Sequence, residues 1–374
     1  MTAVAVVFGT RPEIIKLGPV IAALGAAARP VFTGQHYDAA LVDTFLAVAG
    51  VPDLKPALPG IGGTGRADQV SLMLSGLTAL WRADRPDAVV VQGDTNTANA
   101  AAQAAHYLGI PVVHVEAGLR SFDRNMPEEI NRLVISAVAD VHCAATEENA
   151  EFLLRAGTPA ESVHLTGNPI VEATRAILPS EFARRRALAD AGVTGPDFVL
   201  ATIHRPENAD DPDRLALILA QLALLGRPVV LPLHPRTRQT ISRYEVPVPP
   251  QITVTDPLDH ARFLALATAC TLVVSDSGGV QEEVTVIGRP LVVVRNSTER
   301  PEAMRAGFAL LAQPAEILDA ARRLLDPAHL ARLAHTPSPF GDGHAAERIA
   351  ALTLAAIHHT PAAAEPPVPV LRAA

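Results

Sequence analysis

A chain of 374 residues exceeds one typical hydrophobic core and suits two domains, and its 49% hydrophobic and 19% charged residues describe a packed globular protein, not a disordered one. The net charge of −8 offers no basic stripe for nucleic acid, and the two cysteines, Cys143 and Cys270, lie too far apart to suggest a disulfide framework or a cysteine metal site. No uninterrupted apolar run reaches the roughly 18 residues of a spanning helix, and MTAVAVVFGTRPE has no basic start followed by a cleavage site, so the expectation is a soluble, cytoplasmic protein with no membrane partner.

Valine-rich apolar runs predict strands at 4–8, 88–91, 112–115, 163–165, 198–202, 229–233, 252–254, 272–274 and 291–294. Helical segments at 12–24, 98–108, 149–156, 214–225 and 261–269 lie between them, often closed by a glycine such as Gly109, Gly157 or Gly226. Near-continuous apolar strands alternating with helices predict parallel α/β sheets covered on both faces. A helical, arginine-containing stretch (EFARRRALADAG) within 170–195, ending in Thr194-Gly195-Pro196, marks a seam. Two doubly wound domains, residues 1–170 and 171–344, are expected on either side of a cleft. After a Pro/Gly turn beyond Thr336 comes a last amphipathic helix at about 345–360, then a Pro/Ala-rich tail, 361–374, expected to be disordered.

Candidate site residues fall where predicted strands end, since strand C-termini face the ligand crevice of an open parallel sheet. Gly9-Thr10-Arg11-Pro12-Glu13 joins the first strand to the first helix, where Pro12 suits the first turn and Arg11 stands at a positive helix end. Gly60 to Gly65 reads GIGGTG, but it follows a Pro-rich loop and no strand, so it is read as a mobile loop and not a dinucleotide site. Asp94 ends the 88–91 run and Glu116 the 112–115 run, while Glu128 and Glu129 open a helix twelve residues after Glu116. Asp94 as a mere cap of the helix starting near Thr97, and Glu128 as a mere first-turn acid, are the competing explanations. His204 and Arg205 follow the first strand of the second half. Ser275-Asp276-Ser277-Gly278-Gly279 precedes a helix starting near Val280, with Glu282 and Glu283 in its first turn, available to the helix dipole or to ribose hydroxyls.

Together these motifs resemble the non-hydrolysing UDP-N-acetylglucosamine 2-epimerase family of bacteria and archaea. The match runs through FGTRPEIIKLGPV, GQHYD, QGDTNT, HVEAGLRSFDRNMPEEINR, HLTGNP, HRPEN, SDSGGVQEE, TERPEA and FGDGHAAERI, in order over nearly the whole chain. The resemblance implies a GT-B-like fold of two Rossmann-like doubly wound domains with the site in the interdomain cleft. The last helix would cross back to the first domain. It implies interconversion of UDP-N-acetylglucosamine and UDP-N-acetylmannosamine by a homodimer, without metal or cofactor. Asp94, Glu116, Glu128 and His204 match the family's catalytic positions, and Arg11, His204, Ser277, Gly278, Gly279 and Glu283 match those that hold UDP. Gln35 and His36 match residues that bind an activating second nucleotide sugar in many relatives. Ser71-Leu72-Met73 is apolar where an arginine would complete that site, so such activation is not expected. The run Ala306-Gly307-Phe308-Ala309-Leu310 is more apolar than is usual after TERPEA, which bears on the sugar or nucleotide pocket. The alternatives, in descending order, are a hydrolysing epimerase or an epimerase of a modified UDP-hexosamine, a GT-B glycosyltransferase, and a non-catalytic nucleotide-sugar binder.

Overall fold

Residues 2–35, 46–47, 49–193 and 195–359 are described by a computed structural model; His36, Thr194 and the tail 361–374 lie outside them. The chain divides into two units. The first runs to Thr166 and resumes at Ala346; the second is Gly167–Ala345.

The first unit contains β1 (Val4–Phe8), α1 (Arg11–Leu24), β2 (Ala28–Phe32), α2 (Arg66–Ala83), β3 (Ala88–Gln92), α3 (Asn96–Tyr107), β4 (Val112–Ala117), α4 (Pro127–Val138), β5 (Val141–Ala144), α5 (Glu147–Arg155) and β6 (Val163–Leu165). Its strands form one parallel sheet in the order β2-β1-β3-β4-β5-β6. From β1 the chain winds outward to β2, then returns past β1 to place β3 on its other side. The loops after β1 and β3 therefore diverge, which opens a crevice at that switch point. Strands β1, β3 and β4 are buried along their whole length, as covering helices on both faces require. Six fully buried alanines of α3, Ala98, Ala100, Ala101, Ala102, Ala104 and Ala105, let the helix lie close against the sheet and α2.

The second unit contains α6 (Ile170–Ile177), α7 (Glu181–Asp190), β7 (Val199–Thr202), α8 (Pro206–Ala209), α9 (Pro212–Ala223), β8 (Val229–Pro232), α10 (Pro235–Tyr244), β9 (Ile252–Thr255), α11 (His260–Ala269), β10 (Leu272–Ser275), α12 (Gly278–Ile287), β11 (Leu291–Val294), α13 (Pro301–Arg305), β12 (Ala309–Ala312), α14 (Ile317–Leu324) and α15 (Pro327–Leu333). Its sheet is also parallel, in the order β12-β11-β10-β7-β8-β9, so the switch point lies between β7 and β10. Helix α9 buries Leu215, Ile218, Leu219 and Leu222, a stripe at i, i+3, i+4 and i+7, against Val199, Val274 and Val292. Each such side chain contributes about 1.5–3 kcal/mol relative to exposure. The final helix, α16 (Ala345–His359), belongs to the first unit from Ala346, where the Arg348 guanidinium donates to the Thr166 carbonyl at 3.1 Å.

Both sheets are the Rossmann-like, doubly wound parallel layers that the sequence implies. The pattern of valines does not reveal β2, β5 or β12. Strand β2 is a partly exposed edge whose run is broken by Arg29 and Pro30, which an edge tolerates, and β12, also an edge, is an apolar run, ALLA, that holds no valine. In β5 the run is interrupted by His142. The 170–195 stretch is two helices, because Pro179 breaks it and Ser180 starts α7 by accepting the Ala183 N–H at 3.3 Å.

Gly118, just after β4, has φ 83°, and a Cβ there would fall on the Asn149 carbonyl oxygen of α5. Gly118→Ala combines left-handed strain with a backbone clash and should lower the unfolding free energy by about 3 kcal/mol, read from denaturant midpoints. An unchanged midpoint would show that the β4–α5 junction relaxes at no cost.

Candidate functional site

In the first unit the two loops of the switch point are 9–11 after β1 and 93–95 after β3. Gly9 has no room for a side chain, since a Cβ would fall on the Thr97 and Thr33 hydroxyls. The Glu13 carboxylate, fully buried in the first turn of α1, accepts on Oε2 the N–H groups of Gly9 (3.0 Å) and Thr10 (2.8 Å) and the Thr10 hydroxyl (2.8 Å). Its Oε1 accepts the Thr95 hydroxyl, from the other loop, at 2.6 Å. Burial pushes the Glu13 carboxyl up to about 7, against the pull of those hydrogen bonds. Arg11, half-buried at the start of α1, makes no hydrogen bond or ion pair among the described residues and stands at a positive helix end.

Glu116 sits where the β4–β5 register shifts, with φ 62°. A left-handed conformation costs a non-glycine residue about 1–2 kcal/mol, and such strain concentrates at functional sites. Its buried carboxylate is ion-paired to Lys16 of α1 and accepts the Gln92 amide at 2.9 Å, both on Oε2. Asp94 does not cap α3. Thr95 does, accepting the Ala98 N–H at 2.9 Å, while Asp94 Oδ2 pairs with Arg132 through Nε (2.9 Å) and a terminal nitrogen (2.6 Å). The Asn131 amide holds the Asp94 carbonyl at 2.8 Å. Glu128 and Glu129 lie together in the first turn of α4 and differ completely. Glu129 is fully buried and accepts from Arg120 (2.6 Å), from the Ser121 N–H (2.8 Å) and hydroxyl (3.1 Å), and from Arg132 (3.0 Å). Burial alone would raise its pKa, but the Ser121 N–H, the two arginines and the Arg120 charge hold it below the usual carboxylate range. Glu128 is half-buried and has no hydrogen bond or ion pair among the described residues. Behind these acids the buried His114 imidazole, with Nε2 2.8 Å from the Gly93 carbonyl, is pushed down to about 4 by burial.

In the second unit the loops after β7 and β10 meet at Asp276, which is fully buried. Its carboxylate accepts the N–H groups of His204 (3.0 Å) and Arg205 (2.9 Å) and the Asn208 amide (3.0 Å). His204 Nδ1 lies 3.3 Å from Asp276 Oδ1, so Nε2 is the nitrogen turned away from that carboxylate. Arg205 Nε donates to the Asp276 carbonyl at 3.0 Å. Ser277 is the N-cap of α12, and Gly278 and Gly279 are its first residues. A Cβ on Gly278 would lie 3.7 Å from terminal nitrogens of both Arg205 and Arg300, and one on Gly279 would meet nothing within 4 Å. Two guanidinium groups beside open helix N–H groups form an anion site. Because α12 begins at Gly278, Glu282 and Glu283 stand in its second turn and not its first, away from the dipole they were expected to complement. Glu282 instead pairs with Arg300 (2.7 Å) and Glu283 with His260 Nε2 (2.7 Å). Arg295 holds Glu299 through two bonds of 3.0 and 3.1 Å. Burial would raise Glu299, but Arg295, with the charge of Arg300, brings it down to about 2.

The structure thus gathers Arg11, Asp94, Glu116 and Glu128 along one edge of the first sheet, and His204, Ser277, Gly278 and Gly279 along one edge of the second. Glu283 lies one turn further along α12. Lys16, Arg132, His260 and Arg300 were not singled out by the sequence. Lys16 has the clearest signal, a lone charge inside the apolar helix run IIKLG, and Arg132 recurs one turn after Glu128 and Glu129. His260 and Arg300 join through tertiary contacts with no sequence spacing to mark them. The Gln35 side-chain carbonyl is taken up by the Thr97 N–H (3.0 Å) and hydroxyl (2.8 Å) at the start of α3, and His36 lies outside the described residues. The apolar run after TERPEA is explained by packing, since Phe308 is fully buried ahead of strand β12. Burial pushes both thiols, Cys143 and Cys270, up to about 12, which leaves them unreactive. Among the described residues no group of three or more His, Cys, Asp or Glu is placed to hold a metal, and no helix is long and apolar enough to cross a membrane.

Residues 24–354 match the family model described as UDP-N-acetylglucosamine 2-epimerase. A UDP-N-acetylglucosamine 2-epimerase of Methanocaldococcus jannaschii is 35% identical over 360 residues, covering 92% of this chain and 97% of the relative. A UDP-2,3-diacetamido-2,3-dideoxy-D-glucuronate 2-epimerase of Pseudomonas aeruginosa is likewise 35% identical, over 354 residues, with 92% and 97% covered. Among solved structures, the Methanocaldococcus jannaschii UDP-GlcNAc 2-epimerase in complex with UDP-GlcNAc and UDP superposes with a TM-score of 0.83 at 33% identity, covering 95% of this chain and all (100%) of that one.

Two buried groups make opposite contributions to stability across nearly the same pH window. The native state holds the Glu13 proton up to about 7 against an ordinary 4.5, so this contribution is full below 4.5 and lost as pH rises to 7. Native His114 refuses a proton down to about 4 against an ordinary 6.5, so its contribution is full above 6.5 and lost as pH falls to 4. Relative to wild type, Glu13→Gln should gain about 3 kcal/mol as pH rises from 4.5 to 7, and His114→Asn should lose about as much from 4 to 6.5. Urea unfolding at stepped pH measures both; parallel pH curves for variant and wild type would remove the group concerned.

Proposed function

The chain belongs to the UDP-N-acetylglucosamine 2-epimerase family, and on that premise we propose that it interconverts UDP-N-acetylglucosamine and UDP-N-acetylmannosamine with the diphosphate retained overall. The C2 proton of the hexosamine has no adjacent carbonyl and is a poor acid. Breaking the anomeric C–O bond with C2 deprotonation expels UDP and leaves 2-acetamidoglucal. A proton delivered to the opposite face of C2, with UDP returning to C1, completes the inversion. The reaction needs a base, an acid and a strong hold on the departing diphosphate.

The observation that carries this reading is Glu116, a buried carboxylate kept in a strained left-handed conformation and supported by Lys16 and Gln92. Packing alone gives no reason to bury an acid on a strained residue. The Lys16 ammonium and the Gln92 amide fix the Glu116 carboxylate in the orientation a base needs, and Glu128, with no hydrogen bond or ion pair among the described residues, takes the part of the acid. Asp94, held by Arg132, orients the sugar. The second unit holds the leaving group, with Arg205, Arg300, His204 and the open N-terminus of α12 at Ser277–Gly279 neutralising UDP as it departs. Arg11 adds a cation from the first unit, and Glu283, steadied by His260, takes a ribose hydroxyl. No step requires a metal or cofactor. The working form is a cytoplasmic homodimer, as the family resemblance implies, and light scattering of the purified protein checks its size.

A modified hexosamine is the second reading, supported by the Pseudomonas aeruginosa relative being as identical as the archaeal one. Purified protein incubated with UDP-N-acetylglucosamine in deuterated water should give UDP-N-acetylmannosamine deuterated at C2, seen by NMR. Stoichiometric free UDP would instead mark a hydrolysing epimerase. Exchange only with the UDP-diacetamido-glucuronate would favour the second reading, and none with either sugar would refute both. Asp94→Asn, Glu116→Gln and Glu128→Gln should each lower turnover by about a hundredfold or more with unchanged circular dichroism. Any of them that turns over like wild type has no place in the mechanism.

A further inference from the structure

The switch point of the first unit is held together by a side chain to which the reaction gives no part. Glu13 lies on α1, two residues after Arg11 and three before Lys16, and it is fully buried. On one carboxylate oxygen it gathers the Gly9 N–H, the Thr10 N–H and the Thr10 hydroxyl, all from the loop after β1. On the other it takes the Thr95 hydroxyl at 2.6 Å, from the loop after β3 and next to Asp94. Thr95 in turn starts α3 by accepting the Ala98 N–H. The second unit solves the same problem in the same way: Asp276, on the loop after β10, takes the N–H groups of His204 and Arg205 on the loop after β7. In each sheet the crevice loops diverge, so no strand pairing can fix their spacing, and a single buried carboxylate does so.

We propose that Glu13 is a positioning residue of the epimerase reaction: through Thr95 it locks the loop carrying Arg11 to the loop carrying Asp94. The inference rests on the function proposed above, which supplies the roles of Arg11 and Asp94. A capping box alone accounts for the bonds to Gly9 and Thr10, and it is the Thr95 bond across the crevice that exceeds a capping role. Thr95→Val separates the two, because it removes the bond across the crevice and leaves the carboxylate its Gly9 and Thr10 donors, while Thr95→Ser keeps the bond. Glu13→Gln only reverses that bond, its amide donating to the Thr95 hydroxyl, which accepts as well as donates.

The expected result for Thr95→Val, with wild-type circular dichroism, is a kcat lowered about tenfold or more with KM changed less than about twofold, and Glu13→Gln, which reverses the bond, should lose less. The double variant should be no slower than the slower single one, and Thr95→Ser should restore most of the turnover. Wild-type kcat in folded Thr95→Val, or a double variant whose loss is the product of the two, overturns the proposal. If Glu13→Gln does not fold, the Thr95 pair decides by itself. Amide hydrogen exchange gives a readout that does not depend on turnover: Thr95→Val should speed exchange at Gly9, Thr10 and Arg11, across the crevice, about fivefold or more, while Thr95→Ser leaves it slow. Unchanged exchange there overturns the lock. A wild-type protein that exchanges no deuterium at C2 defeats the proposed function instead, and the exchange experiment still decides whether Glu13 joins the two loops.

Discussion

Each sheet of this protein changes winding direction once, and beyond the paired strands at that point a buried carboxylate joins the two diverging loops. Glu13 does this between β1 and β3, and Asp276 does it between β7 and β10. Diverging loops leave backbone N–H groups pointing into a crevice with no neighbouring strand to accept them, and an acid buried among them satisfies several at once. The cost is desolvation, large enough to push Glu13 up to about 7 in spite of its hydrogen bonds. The result is a crevice whose walls have a fixed spacing, which functional side chains need and flexible loops cannot provide.

Around that frame each unit pairs its acids and cations differently. Along the first sheet edge lie carboxylates, each in a different setting: Glu116 against Lys16, Asp94 and Glu129 sharing Arg132, and Glu128 without a partner among the described residues. Along the second lie guanidinium groups of Arg205, Arg295 and Arg300, the last two held in place by Glu299 and Glu282. Neighbouring acids with unlike partners are what a reaction with separate proton donor and acceptor asks for, and pinned cations beside helix N–H groups suit a departing diphosphate. The contrast between adjacent Glu128 and Glu129 shows how little residue type says about role. One completes an arginine network, and the other has no hydrogen bond or ion pair among the described residues.

Much of the fold was legible because its physics is local. Continuous valine runs can only be strands buried on both faces, and most of them appear within a residue of where the pattern puts them. Strand β2 escaped because an edge, with one neighbour, tolerates Arg29 and Pro30, β12 because its run ALLA holds no valine, and β5 because His142 interrupts it. The strand-end rule picked out Asp94, Glu116, His204 and Ser277 from chain order alone.

The sequence by itself determined two doubly wound parallel sheets, the strand ends where the candidate residues lie, and the family, because periodicity, chain order and ordered motifs survive without coordinates. Only the tertiary structure decided what each acid touches. Lys16 reaches Glu116 across 100 positions of sequence, Thr95 reaches Glu13 across 82, and Asp276 gathers His204 and Arg205 from 72 and 71 positions away. Charge state and orientation are set by such partners at hydrogen-bond distance, and distance in space is the quantity a linear pattern does not encode.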